Sequence, residues 1–291
     1  MRISLLTAFL LIAISAFSQS ADDLLGADSL RTEVVRSTFK STRVINSHSV
    51  EMLQRGNLDF RILHRFGRVN EGISQLFGLD QASMRMGFDY GLTNRFSIGI
   101  GRSTYRKELD AFLKTAIVQQ TTGAAAVPVS LIGVAGTTLL TERITDSVAK
   151  KFANRTGFYG QAILGRKFST RFSVQLSSLV VHRNYVRFSS IDNTLFALGT
   201  GMRLKVSKRV ALMADYHYAF GQLPAGATQP LSVGVDIETG GHVFQLHFSN
   251  AVGMNERAFI TETTDKFFNG DIRFGFNLSR MFQTGRRGKN W

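Results

Sequence analysis

The chain contains no cysteine. That excludes disulfide staples, thiolate metal centres and cysteine nucleophiles. Proline is nearly as scarce, standing only at Pro128, Pro224 and Pro230, and no Pro- or Ser-rich linker divides the sequence into domains. Also missing, beyond the N-terminus, is any run of the roughly 20 apolar residues that a membrane-spanning helix needs; Ser, Gly, Arg or Asp interrupts every apolar stretch. Finally, there is no basic helix and no basic-aromatic cluster. A formal net charge of +14 would suit a phosphate backbone if the cations were gathered. Here they recur singly, so no nucleic-acid partner is expected. The charge is read instead as contact with lipid headgroup phosphates or as an anion-favouring interior.

What the sequence does have is 24 phenylalanines, 27 glycines and strict alternation. Ile272, Phe274, Phe276, Leu278 and Phe282 share one phase, while Arg273, Gly275, Asn277 and Ser279 share the other. That is a strand with one apolar and one wet face. The same pattern runs through Leu58 to Phe66, Met84 to Tyr90, Phe96 to Arg102, Phe172 to His182, Phe196 to Val206, Val210 to Phe220, Leu231 to Thr239 and His242 to Phe248. Segments around Phe112 to Gln119, Val127 to Thr141 and Phe158 to Phe168 are more uniformly apolar, and their facing is open. A soluble sandwich would bury such faces against a second sheet, whereas a membrane barrel turns them to lipid.

Spacing of the turns chooses between the two. Leu92 to Phe96, Phe168 to Phe172 and Val206 to Val210 each place a hydroxyl residue two positions before an Arg, and Thr239-Gly240-Gly241-His242 is a fourth tight turn. Longer connections separate them, and short periplasmic turns alternating with long external loops are the habit of transmembrane barrels. The expected fold is therefore an all-β, antiparallel up-and-down transmembrane barrel of 12 strands, with 14 as the alternative if Val34 to Val44 is a strand. The expected organisation is a signal peptide over residues 1–18, a periplasmic or lumenal extension over 19–57, the barrel over 58–282 and a basic tail over 283–291. Export to the outer membrane of a Gram-negative cell follows.

Several stretches resemble a family of Bacteroidota outer-membrane barrels of unassigned function: Phe60 to Gly67, Phe77 to Asp80, Asp89 to Leu92, Ile98 to Arg102, Glu238 to Phe244 and Phe274 to Asn277. The resemblance implies an architecture and a location. It brings no reaction and no catalytic residues.

Arg61, Arg85, Asp89, Arg203, Asp215, Asp236 and Arg273 all fall in the wet phase and are the expected lumen-lining set, either bordering a pore or pairing across a closed interior. The functional expectation is a small-solute channel or a structural envelope component. No cofactor or metal is expected, since His64, His182 and His242 lie on different rims. Membrane lipid, small solutes or a periplasmic partner docking on residues 19–57 are the candidate partners. One catalytic alternative exists. His247-Phe248-Ser249-Asn250 resembles the His-x-Ser-Asn stretch of outer-membrane phospholipases and lipid A deacylases, with Glu256 or Glu262 as third member. Spacing of two puts His247 and Ser249 on one face, but that face is the inner one unless a β-bulge shifts the phase.

Overall fold

The computed structural model describes residues 31–239 and 242–284. The expected signal peptide lies outside them, as do most of the basic tail and the two glycines of the fourth turn. Twelve strands follow one another: β1 Asn57–Arg68, β2 Ala82–Gly91, β3 Phe96–Ser103, β4 Glu108–Val118, β5 Ser130–Leu140 and β6 Thr156–Lys167. They continue as β7 Phe172–Arg183, β8 Thr194–Lys205, β9 Val210–Phe220, β10 Leu231–Thr239, β11 His242–Ser249 and β12 Arg273–Gln283. Each pairs antiparallel with its neighbours in sequence, and β12 pairs with β1 to close the barrel. Closure leaves no sheet edge, so the ladder groups pair within the wall, with register shifts only at Arg273/Gly275 and Ala116/Val118 among the described pairings.

Alternation decides the facing. Leu176, Phe196 and Leu198 are 58%, 63% and 57% exposed, with Ile100 and Leu113 similar, and together they form an outward apolar band. At the end carrying the short turns this band is edged by Arg166 over the Phe168 ring (5.0 Å) and Arg280 over Phe282 (4.9 Å). Such pairs let a charged head reach water while its stem covers apolar surface. The uniformly apolar strands now have a physical account. Phe112, Ile132, Val134, Tyr159 and Ile163 point inward yet are buried, because they pack against chain inserted into the barrel. Where those strands meet the apolar plug, their inward positions are apolar as well, so their sequences lose part of the period of two.

The tight turns are built as their sequences imply. Ser169 Oγ accepts from the Arg171 and Phe172 N–H groups at 3.2 and 3.1 Å, and Ser207 Oγ accepts likewise from Arg209 and Val210 at 3.3 and 3.1 Å. Thr93 Oγ1 accepts from Arg95 at 3.1 Å. A hydroxyl that caps the next N–H groups closes a turn without helix.

Two segments enter the barrel, one from each end. From the turn rim come residues 35–56, anchored where Glu33–Val34 pairs with Thr121–Thr122. Residues 42–49 fold into a small hairpin in the lumen, with Ser49 N–H donating to Thr42 O and Val44 N–H to Ser47 O, both at 2.9 Å. From the loop rim comes the β11–β12 connection, residues 250–272, which carries the short helix α1 Glu256–Thr261. Its start is readable in sequence, since the Asn255 side chain accepts from Ala258 N–H at 2.9 Å as an N-cap. All six residues of α1 are buried.

Candidate functional site

The lumen is the site, and its chemistry begins with strand residues whose wet-phase side chains turn inward. Asp215 on β9 receives the tip of the hairpin. Backbone N–H groups of Ile45, Asn46 and Ser47 donate to its Oδ2 at 3.3, 2.8 and 2.9 Å, and Ser47 Oγ donates to Oδ1 at 2.9 Å. Consecutive N–H groups converging on one carboxylate form a nest, here closed on a fixed anion of the wall. Other wall residues grip the same segment. Arg61 donates to Thr42 Oγ1 at 2.6 Å and pairs with Asp59. Asp89 accepts from Thr42 Oγ1 at 3.2 Å, Lys114 Nζ donates to Glu51 O at 2.7 Å, and Arg65 donates to Asn46 Oδ1 at 2.6 Å. Gln175 holds His48 O at 2.8 Å and Val50 N–H at 3.0 Å.

The remaining lumen-facing candidates pair within or just beside the wall. Arg85 makes a two-pronged pair with Asp110 at 2.8 and 2.5 Å, Arg203 pairs with Glu238 at 2.8 Å, and Asp236 accepts from Gln245 at 2.7 Å. Arg273, near the loop rim, pairs with Asp265 of the inserted connection at 2.8 Å. Close approach of the plug to the wall needs missing side chains. A Cβ at Gly165 would stand 2.5 Å from Val50 Cγ1, and one at Gly201 2.8 Å from Val44 Cγ2. Gly201 therefore makes room for the plug rather than only easing strand curvature.

The two insertions meet in mid-lumen. Arg43 Nη1 donates to Asn46 O at 2.6 Å and to Glu256 Oε1 of α1 at 3.0 Å, with Arg43 1% and Glu256 0% exposed. The His48 ring lies edge-on to Phe112 at 4.5 Å and 3.5 Å from Glu256 Oε1. Phe259 of α1 packs beside His217 at 5.1 Å. This septum separates two cavities. One opens toward the turn rim, about 770 Å³, lined by residues of the 34–42 and 50–54 stretches and the adjacent wall. The other opens toward the loop rim, about 650 Å³, bordered by Arg106, Arg183, Arg257 and Glu262.

In the outer cavity Glu262 is shared by Arg106 (2.5 Å) and Arg257 (2.6 Å), and Arg257 also forks onto Glu108 at 2.5 and 2.8 Å. Burial opposes ionisation of Glu262, but the two guanidinium charges outweigh it and hold its carboxyl below the usual range. A carboxylate with a depressed folded-state pKa contributes stability above its unfolded value and loses it as pH falls through the folded one. Protection of the α1 amides relative to their intrinsic exchange rate at each pH is therefore expected to be high at neutral pH and to fall below about pH 4. Glu262→Gln should show the lower protection already at neutral pH and respond less to acid.

The alternative catalytic set does not assemble. Ser249 and His247 are buried inside the barrel, and pairing on both sides of β11 runs without a bulge through them. Ser249 Oγ accepts from Ser232 Oγ at 2.8 Å and from Ala251 N–H at 3.0 Å, and neither His247 ring nitrogen makes a hydrogen bond. Glu262 is engaged by arginines, and Glu256 by Arg43. A lipid acyl chain cannot reach a serine on this side of the wall. His64 faces outward, stacked on Phe276 at 4.8 Å. Of residues 19–57, offered in sequence as a docking arm, the stretch 35–56 is occupied inside the barrel, and 19–30 lie outside the described residues.

Inspection of the wet phase alone misses Lys114, Glu108 and Asp110, which sit on a strand whose facing is ambiguous in sequence. It also misses Glu256 and Arg257, which belong to a connection. Against known proteins, residues 39–282 match the family model described as membrane bound beta barrel domain (DUF5777). No curated protein matches the sequence. Among solved structures, the NanC porin is similar over 77% of this chain and 98% of its own, at 9% identity and a TM-score of 0.48. The KdgM porin in complex with disordered oligogalacturonate is similar over 78% and 99%, also at 9% identity and 0.48.

Proposed function

Because this chain belongs to the family of membrane-bound β-barrel domains, with its apolar band in the lipid of the outer membrane, we propose that it is a small-solute channel held shut by its own N-terminal segment. The observation that carries this reading is the pair of cavities, about 770 and 650 Å³, that face opposite rims and are separated by inserted chain packed against inward wall side chains. Contacts between plug and wall combine hydrogen bonds to strand side chains, which water can replace when the plug leaves, with an apolar cluster of Phe39, Val44, Ile45 and Val50 against β4 to β6.

Solute uptake by proteoliposomes tests the reading. The intact chain is expected to give slow swelling in small sugars, and deletion of residues 31–56 to raise the rate at least about tenfold, since the hydrogen-bonded plug holds the closed state by several kcal/mol. If the deleted protein inserts as a folded barrel and remains impermeable, the lumen is no pathway. The structural-component reading then takes its place.

A further inference from the structure

The two mouths differ in charge. The turn-rim cavity is lined by Arg36, Lys40 and Arg95 against Glu51, Asp59 and Glu238, an even balance, and Lys40 already pairs with Glu238 at 3.2 Å. The loop-rim cavity is lined by Arg106, Arg143, Arg155, Arg183, Arg187 and Arg257 against Glu142, Asp146 and Glu262. Its carboxylates are spent on one another's neighbours. Glu142 is held by Arg106 at 2.6 Å, Glu262 by Arg106 and Arg257, and Asp146 caps the N–H groups of Val148 and Ala149 at 2.8 and 3.0 Å.

Four guanidinium groups, those of Arg143, Arg155, Arg183 and Arg187, make no direct salt bridge among the described residues. Arg155 donates to the carbonyls of Lys150 and Glu142 at 3.0 and 3.4 Å, and Arg183 to that of Asp192 at 2.7 Å. Carbonyls fix these side chains in place without neutralising them. Arg183 Nε is moreover buried and makes no hydrogen bond, an arrangement that burial makes costly. Arg187 lies over the Phe188 ring at 5.6 Å, and Arg143 is exposed.

We propose that the loop-rim cavity is a binding site for a small organic solute carrying two or more oxyanion groups, phosphate or carboxylate. The inference rests on the channel reading for its purpose but not for its chemistry. Guanidinium forks match both kinds of oxyanion in two-pronged geometry. A cavity of about 650 Å³ is within the size range that encloses a metabolite-sized ligand. Because Arg155 and Arg183 are already oriented by carbonyls, little side-chain order remains to be lost on binding.

Calorimetric titration of the intact chain in non-ionic detergent, at low ionic strength, tests it with three probes. Pyrophosphate stands for the phosphate class, citrate for the carboxylate class and neutral maltotriose for uncharged solutes. At least one of the two anions is expected to bind, maltotriose not, and the stronger anion identifies the class. Arg143→Gln with Arg187→Gln, both at exposed positions, and separately Arg183→Gln, should each weaken binding by about tenfold or more. Arg95→Gln at the opposite rim should leave it unchanged. Absence of binding by both anions, or equal weakening by Arg95→Gln, overturns the inference. Binding by a protein that passes no solute would support this site and remove the channel reading. Passage of solutes without anion binding would do the reverse.

Discussion

Replacing Asp215 with alanine is expected to free the plug while leaving the barrel intact. The carboxylate accepts three backbone N–H groups and one hydroxyl from residues 45–47. Each buried donor left unsatisfied costs about 1–3 kcal/mol, so the two short backbone bonds from Asn46 and Ser47 alone are worth about 2–6 kcal/mol to the plugged state. At about 1.4 kcal/mol per factor of ten, the unplugged fraction rises roughly 30- to 10⁴-fold. The wall should hold, because the β9 ladder to β8 and β10 is made by backbone. Since the chain has no cysteine, Ser49→Cys introduces a single thiol at a fully buried plug position. Its labelling by a water-soluble maleimide should be slow in the parent and faster by that factor beside Asp215→Ala. Asp215→Asn, which keeps an acceptor oxygen, should fall between.

The second large effect belongs to the septum. Arg43 and Glu256 are buried together, and breaking a buried ion pair from one side strands the other charge at about 3–5 kcal/mol. Arg43→Met and Glu256→Leu are each expected to cost that much in closing the lumen. The double variant should cost well short of the sum, since apolar groups of similar volume replace a buried pair with little loss. Exchange of the Val44 and Ser49 amides, which donate within the hairpin, reads the closing free energy directly. Additive losses would mean that the pair does not couple the two insertions.

Barrel architecture was legible because a wall between lipid and water writes a period of two into each strand. Phe172 to His182 and Phe196 to Val206 could be faced on that basis, and the hydroxyl-x-Arg turns fixed which rim was which. The same rule placed Asp215, Arg61 and Arg85 in the inward phase. What they hold was not legible. Ser47 and Asp215 are 168 positions apart, and Arg257 and Glu108 149 apart, and no local pattern encodes such a pairing. Residues 35–56 carry no periodicity because their partners surround them on all sides. Strands β4, β5 and β6 lack a clear period for the converse reason: the plug's Phe39, Val44, Ile45 and Val50, with Phe259 and Ile260 of α1, pack on apolar inward residues such as Phe112, Ile132, Val134 and Ile163. The catalytic resemblance at His247 and Ser249 came from a short stretch whose phase already pointed inward.

Plug and wall together make the central claim: a conducting lumen whose closed state is set by residues 35–56. Single-channel recording in planar bilayers compares the intact chain with Asp215→Ala most directly. Rare, discrete openings are expected from the intact chain, and openings of the same unit size but far greater frequency from Asp215→Ala. No discrete current from either protein at any voltage, with both verified as folded in the membrane, would contradict the account.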